Sequence, residues 1–90
     1  MKKQNPRIVC KDGTSLSVQG SVTHYCSPRI DEVEQWQDYE SVEVGYIEGG
    51  TPPESWREYA DGMEFPNDIY AWVPVQLVLE FIEFCGGTEV

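Results

Sequence analysis

The clearest regularity in the chain runs from Thr14 to Cys26. Leu16, Val18, Gly20, Val22, His24 and Cys26 alternate with Ser15, Ser17, Gln19, Ser21, Thr23 and Tyr25. A period of two sustained over that length predicts one long, half-buried strand with His24 and Cys26 on its apolar face. Gly20 is the natural place for a bulge or bend in it. A short strand from Arg7 to Cys10 precedes it, joined through Lys11-Asp12-Gly13. A two-residue turn at Asp12-Gly13 would pair Cys10 with Ser15 on the polar face. A three-residue loop with Gly13 left-handed pairs Cys10 with Thr14 and Ile8 with Leu16. The second register puts Ile8 and Cys10 on the core face and is preferred.

Ser27-Pro28 closes the long strand, because proline cannot continue a ladder. An acidic loop from Asp31 to Asp38 follows, with Trp36 inside it. Tyr39 to Ile47 predicts a third strand with Val42, Val44 and Tyr46 inward and Ser41 and Glu43 outward. After the Gly49-Gly50-Thr51-Pro52-Pro53 loop, Thr51 is placed to cap a short helix near Glu54 to Ala60, which Asp61-Gly62 ends. Phe65-Pro66-Asn67 is a turn, and Ile69 to Val73 a fourth strand. The last element is a helix with Pro74 as its first residue and Gly86-Gly87 as its stop. On its wheel Gln76, Glu80 and Glu83 form a narrow polar stripe, and Cys85 lies opposite, beside Val78, Phe81 and Ile82. Leu77 and Phe84 widen the apolar side, a reading that favours core filling over an oligomer contact. The expected fold is α+β: a single domain over residues 1–90, with a mostly antiparallel sheet of about four strands and the C-terminal helix packed on one face.

Charge changes this picture more than length does. The 90 residues carry 16 acidic and 6 basic side chains, a formal net charge of −10. Every residue from Asp31 to Asp68 that bears a positive charge is Arg57, against a dense series of carboxylates. Such a chain repels nucleic acid and is steered toward basic surfaces. The plain alternative is a solvated acidic face with no partner. Hydrophobic residues make up 40% of the chain, too many for a disordered one. No apolar run approaches the ~18 residues of a membrane span, and no signal peptide is recognisable. An odd number of cysteines argues against a complete disulfide framework and for a reducing cytosol, that of a bacterial host in the reading below. A monomer or small homo-oligomer is expected.

Three cysteines and one histidine are the composition of a structural zinc site. His24 and Cys26, sharing a strand face, and Cys85, aimed from the helix, are the candidate ligands, with a carboxylate or water as the fourth. Cys10 is left out of the main set, because on a straight strand it lies roughly 33 Å from His24 at ~3.3 Å per residue; it becomes an alternative fourth ligand if the chain bends. The competing reading is a satisfied core histidine beside small buried cysteines. A Cys26–His24 dyad is a third, but neighbours two apart on a strand point in parallel, and no orienting carboxylate or oxyanion donor is recognisable. No nucleophile elbow, phosphate loop or zinc-protease motif is present, so no enzyme is expected.

The acidic middle is the second candidate site. Asp31, Glu32, Glu34, Asp38, Glu40, Glu54, Glu58, Asp61 and Glu64, with Trp36 among them, are the candidate partner-binding residues. Carboxylates spread over a rigid small domain imitate the charge of a nucleic-acid backbone. Trp36, Tyr39, Trp56 and Tyr59 are interleaved with the acids, and such aromatics either anchor an interface or cover the sheet.

Three runs carry a resemblance: Val22-Thr23-His24-Tyr25-Cys26-Ser27-Pro28-Arg29, Tyr39-Glu40-Ser41-Val42-Glu43-Val44-Gly45, and Tyr70-Ala71-Trp72-Val73-Pro74 with the terminal helix. Together they resemble small acidic phage and prophage proteins, and through these the anti-CRISPR proteins that include zinc-containing inhibitors of Cas9-type nucleases (type II-A class). The resemblance implies a phage-encoded inhibitor that binds the basic surface of a nucleoprotein defence complex and blocks nucleic-acid loading, without binding nucleic acid itself. The alternative is a small structural or regulatory phage protein with no nucleic-acid-binding partner.

Overall fold

The first hairpin takes the register that packs Ile8, half-buried, and Cys10, buried, against the core. In the computed structural model, which describes residues 5–21, 24–30, 33, 35–62, 64–66 and 68–88, β1 (Ile8–Val9) pairs with β2 (Ser15–Gln19) as Ile8 to Leu16 and Val9 to Ser15. The Cys10 N–H donates to the Thr14 carbonyl at 2.7 Å across a three-residue loop, and Gly13 has φ +95°. Side-chain burial chose this register, because a slip of one residue would have turned Cys10 to the polar face.

β3 (Ser41–Glu48) and β4 (Tyr70–Pro74) complete a four-stranded antiparallel sheet in the order β1-β2-β3-β4. α1 (Val75–Phe84) starts directly from β4, with Pro74 as its N-cap. It ends as the two glycines predict: Gly86 N–H donates to Glu83 and Gly87 N–H to Ile82, the paired bonds of a Schellman stop. Gln76, Glu80 and Glu83 face solvent while Val78, Phe81, Ile82 and Cys85 are buried against the sheet. Leu16, Val18, Val42, Val44 and Val73 supply the sheet's side of that core. Among the described residues no helix is long and apolar enough to cross a membrane.

The aromatics of the acidic segments belong to this core. Trp56, on the 3-10 helix Glu54–Tyr59, is 1% exposed and packs against Tyr70 and Phe81 at ring centroid distances of 5.5 and 5.4 Å. It thereby ties that helix to both β4 and α1. Its N-cap is Pro53 with no side-chain cap, so the capping role expected of Thr51 is not taken up. Trp36, in the short 3-10 turn Trp36–Asp38, is also buried. Phe84 is not part of the core; it is 84% exposed beyond the helix's buried face.

The long second strand is where the sequence pattern misleads. β2 stops at Gln19, and the Tyr39 ring packs so closely over Gly20 that a Cβ there would lie 2.6 Å from it. The chain turns away there, and residues 24 to 26 lie outside any strand. Val22 and Thr23 lie outside the described residues. Cys26 is nonetheless buried, in a segment that returns to β3 through Ser27 and Ser41.

A second departure concerns Tyr46, expected inward and found 69% exposed. Between Ser15↔Glu48 and Ser17↔Gly45, β3 has one residue more than β2. Between Val42↔Val73 and Val44↔Tyr70, β4 has one more than β3. The residues at these bulges, Tyr46 and Trp72, both have φ +52°, in the left-handed region that bulky side chains avoid.

Two outcomes test this architecture. Gly20→Val forces a side chain into the Tyr39 ring and is expected to cost about 1–3 kcal/mol in urea unfolding; an unchanged midpoint contradicts the close approach. Burial and then the Asp68 carboxylate push the Tyr70 phenol up to about 12. Its raised value means stability is intact below pH ~10, the unfolded tyrosine value, and is lost as pH rises toward ~12. Tyr70→Phe should flatten that alkaline loss in a pH series of urea midpoints.

Candidate functional site

Breaking β2 at Gly20 rearranges the proposed zinc ligands. Ser21 Oγ lies 2.6 Å from His24 Nδ1, and the His24 N–H faces the Ser21 carbonyl at 3.4 Å. The Cys26 thiol turns inward and donates to the carbonyls of Ser21 (3.2 Å) and Pro28 (3.4 Å). His24 instead is half-buried at the lip of a cleft. So the two do not share a face, and a tight turn rather than a ladder sets their directions.

Cys85 is elsewhere again. Lys11 N–H donates to the Gly87 carbonyl and Asp12 N–H to that of Cys85, while Cys10 bridges Thr88. The hairpin loop is thus stitched to the end of α1, which brings the buried Cys10 and Cys85 beside each other. Burial, then the neighbouring Cys85 and Asp12, push the Cys10 thiol up. The Thr14 N–H, at 2.8 Å, holds the Asp12 carboxyl below its usual range. The straight strand on which Cys10 was set apart from His24 does not form, and Cys10 lies beside Cys85 at the stitched end of α1. Among the described residues no three His, Cys, Asp or Glu side chains are grouped as a metal ion requires, so His24, Cys26 and Cys85 are not brought together as a ligand set.

The acidic residues fare differently. Asp38, Glu40, Glu54, Glu58, Asp61 and Glu64 are all exposed; Asp31, Glu32 and Glu34 lie outside the described residues. Among the described residues the ion pairs are Arg57–Glu54, 2.6 Å, and Arg7–Glu48, 3.7 Å. Trp36, expected at the interface, is 9% exposed and packs inward, because its indole is worth more to a small core than to solvent.

The aromatics at the surface are others. Trp72 is 47% exposed and stacks on Tyr25 with ring centroids 5.0 Å apart. Its N–H donates to the Tyr25 carbonyl at 3.0 Å, and Arg29 lies over the same tyrosine ring at 5.9 Å. Tyr25 and Tyr46 both line a cleft of about 520 Å³ on the sheet face opposite α1. Its floor is Ser17, Gln19, Glu43 and Gly45, the outward positions of β2 and β3. Gln19 is held by Asn5 and Ser17, and Glu43 accepts from the Tyr25 N–H at 3.3 Å. Arg7, which also lines the cleft, reaches the Tyr46 carbonyl and Ser15, so its charge is engaged there. A faint signal for this site exists in the sequence: the larger core-packed side chains of β3 run Val42, Val44, then the partly buried Ile47, and those of β4 run Tyr70, then Val73. Each series slips phase by one residue, as a bulge requires.

Comparison with protein-family models, with curated proteins and with solved structures returns no match.

The thiols make a direct check. At about pH 8.5, where an ordinary thiol is half ionised, iodoacetamide should label Cys10 far more slowly in the folded chain than in urea, as read by peptide mass spectrometry. Equal rates contradict the buried Cys10–Cys85 pair. Because the folded Cys10 value is raised, the stability tied to it is complete below the ordinary thiol range and falls as pH rises through the folded value.

Proposed function

We propose that the protein is a non-catalytic binding protein that docks through its acidic surface on the basic nucleic-acid channel of a bacterial nucleoprotein defence complex, as an anti-CRISPR-like inhibitor of a Cas9-type nuclease would. The observation that carries this reading is the surplus of exposed carboxylates. Asp38, Glu40, Glu58, Asp61 and Glu64 make no ion pair among the described residues, on a chain of formal net charge −10. A rigid domain bearing that field is attracted to grooves lined by Lys and Arg and competes there with nucleic acid. The buried Trp36 and Trp56 support the rigidity of the acidic segments rather than the contact itself. The target enters from the resemblance in the three sequence runs, and the mode of binding from the charge.

The test is capture of purified Cas9-type and other nucleoprotein effectors in graded salt. Affinity should fall by at least about tenfold between ~0.05 and ~0.3 M salt, because exposed charges are screened over that range. The triple change Asp38→Lys, Glu58→Lys and Glu64→Lys should weaken capture about as much. Binding that ignores both salt and charge reversal sinks the proposal.

A further inference from the structure

The cleft on the helix-free sheet face has features that the acidic surface alone does not explain. Tyr46 and Trp72 both hold a left-handed backbone, and both leave an aromatic ring in solvent. Tyr46 is left largely in solvent, and Trp72 gains only its stack on Tyr25, so two unfavourable backbone terms coincide in this sheet. Tyr25 carries Trp72 on its ring and lines the same cleft as Tyr46. Glu43 rises from the floor and Asp61 stands at the wall. The cation already present, Arg7, is engaged by Glu48 and the Tyr46 carbonyl.

Tyrosine rings beside carboxylates are a receptor for a planar cation. The chain itself holds arginine in this way: Arg57 pairs with both oxygens of Glu54, at 2.6 and 3.2 Å, while lying 4.4 Å from the centroid of the Phe65 ring. Glu43 uses one oxygen for the Tyr25 N–H, and Asp61 makes no ion pair among the described residues. We propose that the cleft between Tyr25 and Tyr46 takes an arginine side chain presented by a basic polypeptide partner, with Glu43 and Asp61 accepting from its guanidinium and Tyr46 covering its face. This rests on the acidic-surface reading and names the point at which the partner is gripped. Guanidinium is favoured over ammonium because its flat fork both stacks and bridges two acceptors.

The experiment is titration of the full chain with a short arginine-containing peptide, followed by calorimetry and by tryptophan emission, since Trp72 is the exposed indole beside the cleft. Saturable binding is expected, with Glu43→Gln and Asp61→Asn each weakening it by roughly five- to tenfold. Glu83→Gln, on the far side of the sheet, should leave it unchanged. Tyr46→Gly is the decisive variant. Glycine relieves the left-handed backbone, so the melting temperature should not fall, while peptide affinity does. A residue present only for the fold would show the reverse. Equal binding of a lysine peptide overturns the guanidinium assignment. Peptide binding that is unaffected by Glu43→Gln, Asp61→Asn and Tyr46→Gly overturns the cleft but leaves the acidic-surface reading standing. No binding of any cationic peptide overturns both.

Discussion

The ring of Tyr39 occupies the space where a side chain on residue 20 would be. Much of the molecule follows from that contact. It ends β2 five residues after it begins and sends the chain across the start of β3. The phenol of Tyr39 also donates to the Ile30 carbonyl at 2.6 Å, so the same side chain that stops the strand holds the loop beyond it. With β2 cut short, Cys26 becomes a buried thiol bonded to carbonyls, and His24 is left free to face the cleft.

Two bulges then divide the sheet into a packed side and an exposed side of different character. On the packed side, Val42, Val44, Tyr70 and Val73 meet α1 and Trp56. On the other, the extra residue in β3 and in β4 throws out an aromatic ring from each. Holding a tyrosine and a tryptophan in the left-handed region costs about 1–2 kcal/mol each. A domain of this size has little stability to spare, so two such positions are a substantial load on the fold.

Electrostatics and packing are separated in space. The carboxylates are mostly exposed, whereas the thiols of Cys10, Cys26 and Cys85 are all buried and the large aromatics Trp36 and Trp56 fill the interior. The acidic segments are thus anchored from below by the aromatics that punctuate them. The Cys10–Cys85 contact does similar work at the opposite end, where the hairpin loop is laid over the stop of α1.

What the sequence by itself determined is whatever depends on near neighbours. The hairpin register followed from placing Ile8 and Cys10 with Leu16. The helix over Val75–Phe84 followed from its polar stripe, its initiating proline and its paired glycines, and the antiparallel α+β class from the order of these elements. Excess negative charge was legible too, since exposure is the ordinary state of a carboxylate. Tertiary structure decided everything that required knowing which distant residue fills a given space. Alternation beyond Gly20 was real in the sequence, yet a ring from residue 39 ended the strand. Trp36 read as an interface aromatic until the core claimed it, and Tyr46 read as core until a bulge turned it out. Cys85 pointed the expected way but met Cys10 rather than His24. In each case the local pattern constrained a side chain's preference, and long-range packing chose among the places that satisfy it.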